Sequence, residues 1–269
     1  MATIRCMSDL PGQPNDAESP ESAIWPRVSE LLAKSQLLRA ATSGGTANVY
    51  VYEKNGRKYL VKSFAKHNFF MRWIFGRSTI GNEWRVLKAL KEAEIPCVPQ
   101  GFALLEDNTL IMEFIGGMQL GGKLSDPIKN NIKISFFKEL MMLMKKCHLA
   151  GFAHGDFRRA NILVSEDGRP WVIDWATATY CPPGTSKWHF LRRAINRQQQ
   201  LSDLYSLVKI IDDYYPELIT EEERRASRPN WLLRLGRYLR RTFYRHGIKK
   251  WFGRTKHAKL SKQGGAPNA

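Results

Sequence analysis

The sequence predicts an α+β chain in two lobes, a β-rich one followed by a reduced α-helical one. Three observations predict it. Two β-forming runs, Asn48–Lys54 and Arg57–Phe64, flank Asn55-Gly56. A type I′ turn needs positive φ at both central residues, so this pair reads as a tight hairpin. After Gly116-Gly117 the apolar spacing lengthens to three or four residues, the period of a helix. Finally, Arg224–Ala269 holds 14 Lys/Arg and no Asp or Glu, so this tail carries +14 of the formal +17 and stands apart from a body of ordinary charge.

Taken in order, residues 1–22 are rich in Pro, Ser, Asp, Gln and Asn without an apolar period, and read as a mobile leader. Residues 23–115 form the β-rich lobe, with one or two helices. Glu83, Leu87 and Leu90 recur at helical spacing. Leu104-Leu105 and Leu110–Ile115 read as strands around Glu106-Asp107-Asn108. The helical lobe, 116–223, opens at Asp126-Pro127, an N-cap followed by Pro at N1. Its first helix presents Ile128, Ile132, Phe136, Leu140, Leu143 and Cys147 on one face, to about Gly151. Short runs at 161–164 and 171–173 flank the turn Glu166-Asp167-Gly168. A helix over Ser202–Tyr214 directs Leu204, Leu207, Val208 and Ile211 inward. Residues 224–269 form the basic tail.

Composition excludes several classes. The 269 residues are 43% apolar and 25% charged, which does not fit a disordered or collagen-like chain. No run approaches the roughly 20 apolar residues of a membrane span, and no apolar stretch follows Arg5 to make a secretory signal. Cys6, Cys97, Cys147 and Cys181 are widely spaced, which argues against a disulfide framework or zinc site and for a reducing, cytoplasmic setting. Within the tail, residues 231–252 place Leu232, Leu235, Leu239 and Phe243 on one helical face and Arg234, Arg237, Arg241 and Arg245 on the other. Such a helix suits an anionic bilayer. A helix packed on the body with solvated arginines fits equally, and nucleic-acid binding is a third option. Lys66–Arg77 is also basic and aromatic; it would join that surface or lead into the helix of Glu83.

The passage that carries chemistry is His154-Gly-Asp156-Phe-Arg158-Arg-Ala-Asn161-Ile-Leu-Val, followed by Val172-Ile-Asp174-Trp-Ala176. It resembles the catalytic and metal loops of protein-kinase-fold phosphotransferases. Asn161 follows Asp156 by five residues and Asp174 follows Asn161 by thirteen, close to the family spacing. His-Gly-Asp replaces His-Arg-Asp, and Asp-Trp-Ala replaces Asp-Phe-Gly. These variants look like the small atypical kinases, namely bacterial lipopolysaccharide-core kinases and RIO-type serine/threonine kinases, over roughly residues 37–215. The resemblance implies a two-lobed protein-kinase-like fold with ATP and Mg²⁺ as cofactors. It implies that Asp156 orients the acceptor hydroxyl, that Arg158 reaches the transferring phosphate, and that Asn161 and Asp174 hold the metal through hard oxygen ligands. His154 would hold the loop backbone, and Arg159 would be a surface charge.

Upstream, Thr42–Val49 lies in register with a glycine-rich phosphate loop, with Gly44, Gly45 and Val49 at matching positions. Lys62 on the next strand would pair with the α/β-phosphates, and Glu83 is its candidate partner, with Glu92 and Glu94 as fallbacks. Met112-Glu113-Phe114-Ile115 resembles the hinge whose backbone binds adenine, giving Glu113 and Ile115 to the nucleotide site. Downstream, Asp203 opens a helix; it would brace the catalytic loop or serve as a helix N-terminal carboxylate. No Ala-Pro-Glu follows Asp174. The expected function is transfer of the γ-phosphate of ATP to a hydroxyl. The favoured acceptor is a lipopolysaccharide inner-core sugar at the cytoplasmic face of the inner membrane. The alternatives are a protein hydroxyl, as for a RIO-like serine/threonine kinase, and a nucleotide-binding pseudokinase.

Overall fold

The computed structural model describes residues 24–41, 46–67, 69, 72–121, 132–186 and 189–226. Helix α1 (Val28–Ala33) precedes an antiparallel sheet of β1 (Gln36–Arg39), β2 (Asn48–Lys54), β3 (Arg57–Ser63), β4 (Gly101–Leu105) and β5 (Thr109–Glu113), in the order β1-β2-β3-β5-β4. The β2–β3 hairpin turns at Asn55 (φ 53°) and Gly56 (φ 72°). Both angles lie where only residues tolerant of the left-handed region sit without large cost, as the Asn-Gly pair predicts. The register pairs Lys54 with Arg57 and Val49 with Lys62.

Side chains alternate across a strand, so each strand divides its residues between two layers. Tyr59 and Val61 of β3 and Ile111 of β5 pack with Val28, Leu31 and Leu32 of α1. Leu60 of β3 and Leu110 and Met112 of β5 face the opposite layer. That layer includes Leu87 and Leu90 of α2 (Gly81–Glu92), which continues from a π-helical run, Arg72–Ile80. Lys62 shares the parity of Leu60. The hairpin register therefore directs an ammonium into the layer that α2 covers.

The second half comprises β6 (Met118–Gln119), α3 (Ile134–Leu149), β7 (Phe152–Ala153), β8 (Ile162–Val164), β9 (Pro170–Val172), β10 (Thr179–Tyr180), α4 (Phe190–Asp212) and α5 (Glu221–Ala226). Strands β6, β8 and β9 make one small sheet and β7 pairs with β10 in another. Phe136, Phe137, Leu140, Phe152, Val172, Trp175 and Ile211 join Leu87, Leu90, Leu110 and Met112 in one continuous core. The β-rich and helical halves are therefore welded together where β5 and α2 meet the second half.

Three sequence expectations differ from the structure. Helix α3 begins at Ile134 with Lys133 at its N-cap; Asp126-Pro127 and Ile128 lie outside the described residues, and Ile132 precedes the helix. Helix α4 begins at Phe190 rather than Ser202, so Asp203 lies deep inside it rather than opening it. Its added turns contain no buried apolar residue. They are anchored by Asn196, whose amide donates to Gly151 O and Thr179 O (3.0 and 3.2 Å), and by Gln200, which donates to His148 O (2.9 Å). Leu204, expected inward, is 37% exposed. At the start of the basic tail, Arg224 is held by Asp212 Oδ1 (2.6 Å) and Pro216 O (3.0 Å). Residues 231–252 lie outside the described residues. Among those described, no helix is long and apolar enough to cross a membrane.

Candidate active site

Between the five-stranded sheet and the β8–β9 hairpin lies a cavity of about 460 Å³. Its walls include Leu38, Arg39, Val49, Leu60, Lys62, Met112, Glu113, Phe114, Ile115, Asn161, Leu163, Ile173 and Asp174. At one wall Lys62 Nζ donates to Glu83 Oε1 (2.6 Å) and to Asp174 Oδ1 (2.9 Å). Glu83 is fully buried and Lys62 nearly so. Burial works against the Lys62 ammonium, but the two carboxylates outweigh it and its pKa rises. Burial pushes the Glu83 carboxyl up, opposed by Lys62. Asp174 goes the other way: Lys62 pulls its pKa down to about 2 against the effect of burial, so it is a carboxylate at any physiological pH. Of the three candidate partners for Lys62, the structure selects Glu83; Glu92 and Glu94 are exposed.

Asp174 adopts the left-handed conformation (φ 67°, ψ 64°). For a residue with a Cβ this costs about 1–2 kcal/mol. The next residue holds it there. Trp175 is fully buried, and its indole N–H donates to Val172 O (2.9 Å). A second restraint comes from α2, where Asn82 donates to Ala176 O (3.1 Å) and Ala178 O (2.9 Å). Asn82 precedes Glu83, so one turn of α2 grips both Lys62 and the segment after Asp174.

The other half of the site is the loop from His154 to Asn161. His154 is buried; its Nδ1 accepts from Asp156 N (3.3 Å), which leaves Nε2 to donate to Ile173 O (2.9 Å). Asp203 of α4 accepts from His154 N (2.6 Å) and Gly155 N (3.0 Å) with its two oxygens. It is a brace beneath the loop from mid-helix, so the helix N-terminal alternative does not apply. Gly155 has φ +78°, and a Cβ there would lie 2.7 Å from Thr177 O. That close approach accounts for His-Gly-Asp: no side chain fits at the middle position.

Asn161 is buried and donates from Nδ2 to Asp156 O (2.9 Å), with Asp156 Oδ2 3.4 Å away. Its amide oxygen is thereby the atom left to offer to the cavity. Asp156 lies beside this cavity wall and is about a third exposed. Arg158 is exposed and pairs through Nε with Asp156 Oδ2 (3.1 Å). Arg159 is not a free surface charge: it pairs with Asp213 and lies over the Tyr214 ring. Val49 lines the cavity, whereas Gly44 and Gly45 lie outside the described residues. The Glu113 carboxylate accepts from Gln100 N (3.1 Å) and the Glu113 N–H donates to Gln100 O (2.8 Å), so the Glu113 N–H is taken while Phe114 and Ile115 line the cavity.

The donor set fits Mg²⁺ that is carried in part by a nucleotide. Among the described residues no cluster of three or more His, Cys, Asp or Glu could hold a metal alone. One carboxylate and one amide oxygen on a shared cavity are what Mg²⁺ uses when phosphates supply the remaining ligands. Sequence reasoning missed Asn82, Arg39, Asn196 and Gln199. The Asn82 signal, a polar residue in the first turn beside Glu83, was present but generic.

Fold and cluster together define a chain of the protein-kinase-like fold class. More narrowly, the chain belongs to the RIO domain family, whose model matches residues 48–200. Among curated relatives, it is 25% identical over 158 residues to sperm motility kinase 3A of Mus musculus, covering 57% of this chain and 30% of that protein. It is 23% identical over 151 residues to CBL-interacting serine/threonine-protein kinase 19 of Arabidopsis thaliana, covering 54% and 30%. It is 27% identical over 105 residues to sperm motility kinase Z of Mus musculus, covering 38% and 21%. The chain thus spans less than a third of the length of these relatives.

Proposed function

We propose that the chain transfers the γ-phosphate of Mg·ATP to a hydroxyl, with residues 23–115 and 116–223 as the two lobes of the enzyme. The observation that carries this reading is the convergence of Lys62, Asn161 and Asp174 on one cavity, with Glu83 behind Lys62 and Asp156 at the edge beside Asn161. Lys62 would bind the α/β-phosphates, held in place by Glu83. Backbone groups of Glu113 and Ile115 would bind adenine, while Val49, Leu60 and Leu163 sandwich it. Asp174 and Asn161 would hold Mg²⁺, which supplies charge neutralisation of the phosphates. Asp156 would align the acceptor hydroxyl and take its proton. Arg158 would leave Asp156 for the transferring phosphoryl group once the acceptor occupies the carboxylate. A charged Lys62 and an ionised Asp174 support turnover rather than a pseudokinase.

For the acceptor, the reading is an inner-core sugar of lipopolysaccharide at the cytoplasmic membrane face. It is supported by the short path after Asp174, which passes through β10 directly towards α4, and by the basic character of the chain. A protein hydroxyl is the second reading, favoured by the serine/threonine kinase named among the relatives. Incubation with γ-labelled ATP and either delipidated core oligosaccharide or a panel of protein acceptors separates them. Label in the sugar supports the first reading. Label only in protein, with none in the sugar, removes it.

A further inference from the structure

The first turns of α4 carry an apolar stripe that faces away from the protein. A helix turns about 100° per residue. Asn196, Asp203, Leu207 and Ile210 mark its buried side. On that wheel Phe190 and Leu191 fall opposite and Ile195 on the flank, and they are 73%, 62% and 48% exposed. Arg193 and Arg197 border the stripe on one side and are exposed; Arg192, in line with Ile210 on the wheel, turns its guanidinium to Tyr180 O (3.1 and 2.7 Å). Arg193 and Arg197 form no ion pair among the described residues. Within Trp175–Ser202 there are four Lys/Arg and no Asp or Glu. Leaving three large apolar side chains in water is unfavourable, and the two unpaired arginines beside them favour an anionic cover.

We propose that this stripe is a docking surface for an anionic phospholipid bilayer, with the apolar side chains entering the acyl boundary and the arginines meeting lipid phosphates. Charge decides among the occupants. The tail beyond residue 226 is itself strongly basic, so it is repelled by these arginines, and a second copy of the chain is repelled likewise. The position is functional as well as exposed. One turn further along α4, Gln199 donates to Thr177 O (3.4 Å) and packs against Gly155, the neighbour of Asp156. The stripe is therefore one turn of α4 from a side chain that touches the catalytic loop. The inference rests on the acceptor reading above for its purpose but not for its test, because vesicle binding needs no turnover.

The test uses full-length protein and flotation with vesicles of phosphatidylglycerol and phosphatidylethanolamine, against vesicles of phosphatidylcholine alone. Each basic residue contributes about fivefold to binding near an anionic surface. The expected result is binding to the anionic vesicles only, reduced at least tenfold in Phe190→Ser/Leu191→Ser/Ile195→Ser and in Arg193→Glu/Arg197→Glu. Melting temperature and Mg·ATP binding should be unchanged in both variants, since the residues are exposed and outside the cavity. Equal vesicle binding by wild type and variants overturns the proposal, as does binding to duplex RNA with no vesicle binding. Lost vesicle binding with label only in protein would keep the docking surface and remove the sugar acceptor. Retained vesicle binding with labelled sugar would do the reverse.

Discussion

Replacing Asp203 tests how the catalytic loop is held. Its side chain is 1% exposed, and its two oxygens take the N–H groups of His154 and Gly155 at 2.6 and 3.0 Å. A hydrogen bond to a charged group contributes about 1.5–3 kcal/mol. Asp203→Ala strands both buried donors and should cost about 3–6 kcal/mol. Asp203→Asn keeps one acceptor but turns an NH₂ toward the other donor, and should cost about 2–3 kcal/mol. For a chain of this size each kcal/mol lowers the melting temperature by roughly 2–4 °C. The Asn variant should then melt about 4–12 °C lower and the Ala variant lower still. The second consequence is kinetic. With the loop unpinned Asp156 shifts, and a displacement of about 1 Å can cost on the order of 10²-fold in rate. Lys62, Glu83 and Asp174 do not touch Asp203, so nucleotide affinity should survive in the Asn variant below its melting point. The assays are thermal denaturation by circular dichroism, calorimetric Mg·ATP binding, and ATP turnover. An Asn variant melting within a degree of wild type with turnover within twofold would refute the brace.

The remaining predictions concern the site itself. Asp156→Asn should leave ATP affinity nearly intact while turnover falls on the order of 10²–10⁴, the range for a positioned base; retention of a third of wild-type turnover contradicts its role. Asp174→Ala should shift the Mg²⁺ midpoint for nucleotide binding upward strongly, and Asn161→Ala less, because a neutral amide offers the cation less; unchanged midpoints in both mean that the metal ligands lie elsewhere. The depressed pKa of Asp174, about 2 in the fold, makes its stabilisation complete above about pH 4 and lost as pH falls through about 2, an effect of about 2 kcal/mol. Urea denaturation between pH 5 and 2 should therefore show a steeper loss for wild type than for Lys62→Met, and parallel curves would mean that Lys62 does not set the Asp174 pKa.

Much of this site was legible because its residues sit in local patterns. Asn55-Gly56 fixed a hairpin, the hairpin fixed the parity of Lys62, and the spacing of Asp156, Asn161 and Asp174 survives in the sequence as plain intervals. What was not legible depends on bonds that carry no period. The early turns of α4 leave their apolar residues exposed, and Asn196 and Gln200 hold them by reaching backbone carbonyls rather than by burying an apolar face. Without that face there was nothing to extend the helix before Ser202, and Asp203 was misplaced at its start. Asn82 looked like any first-turn residue, because its partners lie 94 and 96 positions away.

The five-stranded sheet also has a temporal meaning. Its β2–β3 and β4–β5 hairpins close over turns of a few residues, whereas the bond from Lys62 to Asp174 closes a loop of 112 residues. Longer closures cost more chain entropy and are slower to be won. The β-rich half can acquire its strand register early, while Lys62 is still solvated, and the ammonium meets its second carboxylate only when the two halves dock. The cavity is thus the seam formed last, and a chain that has paired its strands but not yet closed that seam has a sheet and no site.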